Sequence, residues 1–336
     1  MGGGVVPDLF DIPHRGVANA LITIGSVFGP VLGPLFGGII TAYAGWRWIF
    51  WVLLIACAVV AVAMALLVPE TNAPVLIRWK TLKLREAMQR DDLRSGYSEK
   101  NQSDRKGPWT SLQRAVLRPW KMLFCSPLLV ILCVMVGLIS ALLYILLTTT
   151  SSIFEGTYNW PLETSGLAYL GLGFGSVVGI IFFAKTSDRV VLRLSKTNNN
   201  TFEPEMRIVT AFLPAFLIPV SFFWYGWSAY AKTHWIVPLI GLAPFGFAQV
   251  GITASAQAYA IDASGSYAAS SVACMSSVRC LFGAFVPLAG PSLYGRLGLG
   301  WGNSLLGFIS FIMIFFTLLV HRYGKGIREK YPLNLE

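Results

Sequence analysis

Long apolar segments, separated by mostly short polar connections, make up most of the chain. Eight segments have about the length, 18 residues or more, that crosses the hydrocarbon core of a bilayer as a helix. They lie at about 17–43, 48–68, 126–149, 165–184, 208–227, 235–261, 269–288 and 302–320. Because lipid offers no partner to backbone N–H and C=O groups, each segment is predicted to be helical. Transmembrane β-strands would be shorter and would alternate in polarity. The pattern therefore predicts an all-α, polytopic membrane protein.

Composition agrees with this prediction. Hydrophobic residues make up 55% of the chain and charged residues only 12%, with a mean hydropathy of +0.62. An average soluble domain has about 25% charged residues. A lipid bilayer, unlike water, accepts the apolar side chains that such a chain must expose. We therefore expect the lipid bilayer to be a direct partner of the protein.

The basic residues indicate the orientation. The formal net charge is +10, and 22 of the 26 Lys and Arg residues fall on one side of an eight-span arrangement. The polar stretch 69–123 alone holds twelve of them, whereas the opposite side holds three. By the positive-inside rule, both termini and this stretch are predicted to be cytoplasmic. The same distribution explains the net charge without nucleic acid, so no nucleic-acid partner is expected.

No pattern in the sequence indicates catalysis. The five cysteines lie in or beside apolar segments without a CxxC spacing, and the three histidines lie near predicted membrane edges. There is no nucleotide-binding loop and no metal-binding or nucleophilic motif. We therefore expect no enzymatic activity, no metal and no cofactor.

The first apolar segment has a glycine every fourth residue. One glycine pair at this spacing is common in helix packing, but four in register form a smooth ridge that a neighbouring helix can approach closely. Two prolines in the same segment each remove a backbone donor and bend or loosen the helix. The residues of this motif are Gly25, Gly29, Pro30, Gly33, Pro34, Gly37 and Gly38.

This run closely resembles the antiporter motif on the fifth helix of drug:proton antiporters. Residues 45–51 resemble the start of their sixth helix, 166–173 their eighth, 234–238 their tenth and 262–288 their eleventh. The chain therefore resembles the fungal twelve-span drug:proton antiporters of the major facilitator superfamily, in the branch of multidrug and polyamine exporters. The resemblance covers nearly the whole chain and assigns its eight segments to helices five to twelve.

The resemblance implies a domain organisation. Residues 1–68 would end the N-terminal half, 69–123 would form the cytoplasmic central loop, 124–321 the C-terminal six-helix half and 322–336 a cytoplasmic tail. It also implies export of small hydrophobic or cationic molecules, such as drugs, toxins or polyamines, in exchange for protons. The expected location is the plasma membrane.

Arg279 is the most informative single residue, because it lies about ten residues into its segment, near the middle of the membrane. A charge there is unfavourable unless it faces a partner or a water-filled cavity. It either contacts substrate and lines the transport path, or binds backbone carbonyls structurally. Tyr144 and Gln249 lie in the segments that correspond to the cavity-lining seventh and tenth helices, and are further candidates for substrate contact.

A cytoplasmic gate is the expected role of Asp188, Arg189 and Arg193, which resemble a weak copy of a cytoplasmic loop motif of the family. Plain positive-inside charge is the alternative interpretation.

Proton coupling needs a titratable group within the membrane, yet no segment has Asp or Glu near its middle. We therefore expect a shortened form that lacks the first four helices. The alternative is a degenerate or partner-dependent membrane protein without transport of its own. An ion channel is less favoured, because no filter-like loop or ring of acids is present.

Overall fold

The computed structural model describes residues 15–67, 70, 73–89, 120–198 and 201–331. Within these ranges every regular element is helical, which confirms the all-α prediction. Short 3₁₀ segments lie at Gly166–Tyr169, Pro204–Ala211, Gly265–Tyr267 and Val286–Ala289. The α-helices are α1 (Arg15–Ala44), α2 (Trp46–Leu67), α3 (Ala73–Met88), α4 (Pro127–Tyr158), α5 (Leu162–Ser165), α6 (Leu170–Thr197), α7 (Phe212–Tyr230), α8 (Ile236–Gly241), α9 (Ala243–Ser264), α10 (Ala268–Phe285) and α11 (Gly290–Lys330).

Each predicted apolar segment coincides with helical structure. Six helical stretches in the described part of the chain are long and apolar enough to cross a membrane. The last of them, Ala268–Lys330, contains two predicted segments, and α11 is broken at Gly298, whose φ of 72° is left-handed. The first predicted segment is α1. The chain is therefore a multi-pass membrane protein with the eight helical segments that the sequence predicts.

The described residues form two units. One contains α1 from Ala20 together with the residues from Trp120 onward, and the other contains α2 from Phe50 and α3. The first unit has a continuous apolar core to which α4, α7 and α9 contribute large side chains that include Ile139, Phe222 and Phe245. By contrast, no residue of α2 is buried.

The cap residues explain where α4 begins and ends. The Ser126 hydroxyl accepts a hydrogen bond from the N–H of Leu129, and Pro127 follows in the first turn, where its missing N–H leaves no bond unmade. At the other end Asn159 adopts a left-handed φ of 53° and its N–H donates to the carbonyl of Phe154. These caps delimit a helix of 32 residues, longer than the bilayer core requires.

Glycine lets α6 lie directly on the backbone of α8 and α9. A Cβ at Gly171 would collide with the carbonyl of Leu239, and one at Gly175 would collide with the carbonyl of Ala243. Conversely, a Cβ at Gly246 of α9 would meet the carbonyl of Leu172 in α6. Only a residue without a side chain fits at such positions, so these glycines fix how close the helices lie.

Two regions that the sequence predicts to be polar connections contain helix. The helix α3 lies in the predicted central loop, whose residues 90–119 are outside the described part. Residues 322–330 of the predicted tail continue α11, where the Lys325 ammonium contacts the Glu203 carboxylate at 2.6 Å and Arg328 contacts Glu205 at 3.4 Å. The bond from Lys325 lowers the pKa of Glu203 below its ordinary value.

Candidate functional site

The helices α4 and α10 lie side by side, and glycines bring them into close contact. A Cβ at Gly137 would lie 3.0 Å from the Phe282 ring, and a Cβ at Gly283 would lie 2.7 Å from the Tyr144 ring. The Tyr144 ring therefore lies directly over the surface of α10, at the height of Gly283.

Arg279 lies four residues before Gly283, so both are on the same face of α10 with one turn, about 6 Å, between them. Because Tyr144 contacts Gly283, the structure places the predicted tyrosine and arginine on neighbouring positions of adjacent helices. Arg279 is half-buried, and no carboxylate among the described residues forms an ion pair with it. Gln249 is half-buried on α9, and no described contact joins it to either residue.

A stripe of hydroxyl side chains continues from Tyr144 along α4. Tyr144 is 43% exposed, and Thr148 and Ser152 follow at four-residue intervals and are also exposed. The Thr148 hydroxyl donates to the backbone carbonyls of Tyr144 and Ile145 at 2.9 and 3.0 Å, and its oxygen can still accept a hydrogen bond from water or a polar ligand. Thr148 and Ser152 are not among the site residues predicted above, although their helical spacing in an apolar segment is visible in the sequence.

The stripe leads to a cavity between α4 and α11. Its volume is about 290 Å³, close to the volume of the smallest ligand pockets in proteins, about 300 Å³. The Tyr294 hydroxyl on its wall donates to the side-chain oxygen of Asn303 at 2.9 Å. The cavity is lined by Thr148, Thr149, Ser152, Ile153, Thr157, Pro291, Tyr294 and Leu299. Hydroxyl and apolar groups therefore meet in one concave surface.

The glycine ridge of α1 has no neighbour among the described residues. A Cβ at Gly29, Gly33 or Gly37 would have no atom within 4 Å. Both Pro30 and Pro34 lie inside the helix. The predicted motif residue Gly38 lies in the same helix, whereas the surroundings of Gly25 are outside the described part.

The helix α1 nevertheless contacts the start of the segment that leads into α6. A Cβ at Gly166 would lie 2.7 Å from the Cα of Leu35 and 2.9 Å from the carbonyl oxygen of Pro34. Near the end of α1, the Tyr43 hydroxyl donates to Glu163 at 3.2 Å. The antiporter-like motif therefore touches the rest of this unit through its second proline rather than through its glycines.

A charged cluster joins three elements at the end of α6 that is predicted to be cytoplasmic. The Arg207 Nη1 donates to Asp188 Oδ1 at 2.7 Å and its Nε donates to Asp262 Oδ2 at 3.0 Å. Arg189 and Arg193 are exposed, and neither forms an ion pair with a described residue. Of the three predicted gate residues, only Asp188 belongs to this cluster. Its partners Arg207 and Asp262 were not predicted from the sequence.

A buried carboxylate lies on the same side of this unit. Glu205 is 5% exposed and accepts a hydrogen bond from the Tyr259 hydroxyl at 3.2 Å, and Gly324 approaches it from α11. Together with the ion pair to Arg328, these contacts fasten the end of α11 to the segment Pro204–Ala211. Among the described residues, no group of His, Cys, Asp and Glu side chains is suited to hold a metal ion.

These features define a polytopic membrane protein with a concave surface, lined by hydroxyl and apolar groups, between two of its helices, a class that includes transporters. The sequence profile of the Major Facilitator Superfamily matches residues 1–287. The chain therefore belongs to the Major Facilitator Superfamily.

Fungal relatives cover nearly all of this chain. It is 42% identical over 336 residues to the MFS transporter prlG of a fungal species (strain NRRL 50135), and 39% identical over 328 residues to the MFS transporter cpaT of Aspergillus oryzae. It is 36% identical over 330 residues to the efflux pump radE of Floropilus chiversii. These alignments include 98–99% of this chain but only 70%, 65% and 60% of the three relatives, respectively.

Proposed function

We propose that these residues form the C-terminal half, with two helices of the N-terminal half, of a secondary active transporter. Its cargo would be small hydrophobic or cationic molecules, exported in exchange for protons. The observation that carries the proposal is the placement of Tyr144 beside the face of α10 that bears Arg279, continuous with the hydroxyl stripe on α4. The names of the fungal relatives, two MFS transporters and an efflux pump, point in the same direction.

The side chains of this surface suit weak and tolerant binding. The Tyr144 ring and the apolar walls would contact the hydrophobic part of a cargo. The hydroxyls would replace their hydrogen bonds to water by hydrogen bonds to the polar groups of the cargo. Arg279 would keep the path hydrated, because an arginine near the middle of the membrane is stable only where water or a partner reaches it. Gln249 is proposed as a more distant contact on α9.

Alternating access requires contacts that form on one side while others open. We propose that the meeting of Pro34 and Leu35 with Gly166 is one of these contacts on the extracellular side. The cluster of Asp188, Arg207 and Asp262 would keep the cytoplasmic ends of α6, α9 and the segment Pro204–Ala211 together during the movement. Arg189 and Arg193 remain candidates for contacts of the cytoplasmic gate.

Proton coupling has no evident carboxylate in the middle of the described helices. Since the chain spans about two thirds of the length of its relatives, we propose that the transporting protein is longer and that the coupling residue lies in the additional part. This proposal agrees with the interpretation that the antiporter ridge of α1 packs against further helices.

The test is an efflux assay in a transporter-deficient yeast. The chain would be expressed alone and, separately, preceded by the first four helices of the efflux pump radE of Floropilus chiversii. We expect export of a fluorescent cationic dye, abolished by a protonophore, only from the extended protein. Arg279→Ala should reduce this export at least tenfold, whereas the exposed Arg296→Ala should not change it. Equal export by both variants would contradict the assigned role of Arg279.

The open ridge on α1 favours a second candidate, a partner-dependent protein without transport of its own. In that case Gly29, Gly33 and Gly37 would face a helix of another membrane protein. The extended protein would then fail to export any dye, and a full-length transporter of the same cell would co-purify with the 336-residue chain. Replacing Gly33 by Leu should abolish that co-purification.

A further inference from the structure

We propose that Cys133 and Cys274 form a buried dithiol that a peroxide oxidises to a disulfide between α4 and α10. Their Sγ atoms are 3.8 Å apart, and the two side chains are 1% and 2% exposed. The other three cysteines, Cys57, Cys125 and Cys280, are exposed, and none of them shares a described sulfur contact with another cysteine. The two buried cysteines are thus also the two that touch.

The contact lies between helices that are already held in register. Gly137, one turn after Cys133, receives the Phe282 ring, and Tyr144 rests on Gly283 further along the same pair. A disulfide has an S–S distance of about 2.05 Å, so the sulfurs must approach by about 1.8 Å. Rotation of the two side chains, with an adjustment of the helices, would supply this movement.

Both thiols lie at the same depth. Cys133 is six residues after Pro127, the start of α4, and Cys274 is six residues after Ala268, the start of α10. Six residues of α-helix rise about 9 Å. In the predicted topology both helices start on the cytoplasmic side, so the dithiol lies in the cytoplasmic third of the bilayer core. A small uncharged oxidant such as hydrogen peroxide can reach this depth.

The reaction balances with a peroxide as the oxidant. One sulfur attacks a peroxide oxygen, the O–O bond breaks, and the first thiol becomes a sulfenic acid while one water leaves. The second sulfur attacks the sulfenic sulfur, the S–O bond breaks, and hydroxide leaves with the proton of the second thiol as another water. Hydrogen peroxide gains two electrons, and the two thiols lose two electrons as the S–S bond forms.

The disulfide would fix α4 against α10, the helices that bear Tyr144 and Arg279. Export should therefore slow when the bond forms and recover when a reductant breaks it. This consequence depends on the proposed transport function, whereas the formation of the bond does not. The bond is therefore measured on the purified protein, apart from any transport assay.

The experiment uses the full chain in detergent with Cys57, Cys125 and Cys280 replaced by serine. After treatment with hydrogen peroxide the protein is denatured, remaining thiols are labelled with a maleimide, and the intact mass is measured. We expect the loss of two hydrogens, no label on either cysteine, and full labelling after reduction. Digestion should yield the peptide of Cys133 linked to that of Cys274. With Cys274→Ser added, the intrachain bond should not form.

Several results would overturn the proposal. The first is that Cys133 and Cys274 both remain free thiols at peroxide concentrations that oxidise the exposed cysteines of the unaltered chain. Others are sulfinic acid without a disulfide, or bonds only between separate chains. If the serine variants fail to fold, linked peptides are mapped in the unaltered chain and the same criteria apply. A bond that forms in the extended, exporting protein without slowing export would overturn only the transport consequence.

Discussion

Two helices carry glycine at the same four-residue spacing but lie in opposite surroundings. In α1 the positions are Gly29, Gly33 and Gly37, and a Cβ at any of them would meet no described atom within 4 Å. In α6 the positions include Gly171 and Gly175, where a Cβ would collide with backbone carbonyls of α8 and α9. Equal spacing therefore does not mean equal packing.

The difference teaches what a glycine pattern contains. The spacing indicates that another helix can pack closely along one face. Whether close packing occurs depends on the presence of a partner helix on that face. In α6 the partner is part of the same unit, and the close approach is present in the structure. In α1 the described residues provide no partner for the ridge, and its packing stays a prediction. Substitutions that add one methyl group test this contrast directly.

The largest effect is expected for Gly175→Ala. The added methyl group would meet the carbonyl of Ala243, a backbone atom that cannot move aside without shifting α9. We expect destabilisation of about 3 kcal/mol, at the upper end of the range for overpacking. Thermal unfolding in detergent, followed by tryptophan fluorescence, measures it. Gly326→Ala on α11, where nothing lies within 4 Å, is the control and should be as stable as the unaltered chain or up to about 1 kcal/mol more stable, because alanine favours a helix over glycine.

A second contrast lies among the charges at the predicted cytoplasmic end of α6. Arg207→Ala leaves Asp188 and Asp262 without their shared cation, and the Arg207 and Asp262 side chains are only 22% and 25% exposed. We expect a loss of about 2 kcal/mol, less than for a fully buried pair because water partly screens the cluster. Urea unfolding should show this loss, whereas the exposed Arg193→Ala should change stability by less than about 0.5 kcal/mol. Equal losses would contradict the assigned cluster.

A smaller effect is expected where α1 meets the segment before α6. Gly166→Ala would place a methyl group against Leu35 and Pro34, but this contact is small and α1 can move away. We expect a local loss of about 1 kcal/mol, seen as roughly fivefold faster amide exchange in the second half of α1. Gly156→Ala, with open space around it, is the matched control. Unchanged exchange in α1 would show that this contact does not hold the helix.

The sequence predicts the helices better than the site, for a physical reason. A membrane helix must be predominantly apolar over about 20 residues, so local composition suffices to locate all eight. The partners of Arg207, Asp188 and Asp262, are distant from it in sequence, so no local pattern predicts the cluster. The helix α3 was not predicted because Lys and Arg are interspersed with its apolar side chains, a composition that a polar loop also has.

The candidate site shows the same division. Arg279 is conspicuous because a charge in an apolar segment stands out locally. That Tyr144 would lie beside it depends on Gly283, whose missing side chain admits the ring. In the sequence of α10 that glycine is only one small residue among several. Thr148 and Ser152 could have been found, since a four-residue spacing of hydroxyls continues from Tyr144 on one face of α4.

The smallest effect in this chain is expected for Gly33→Ala, and it is the most informative about the ridge. The methyl group would enter open space, and alanine favours a helix over glycine by about 1 kcal/mol. Stability should therefore stay equal or rise by up to that amount. In the chain extended by four preceding helices, the same substitution should cost about 1–3 kcal/mol if the ridge packs against one of them. The measurement compares the unfolding of each chain, extended or not, with that of its own Gly33→Ala variant. A loss of stability only in the extended protein supports the transporter. No loss in either chain favours a ridge that faces another protein or lipid.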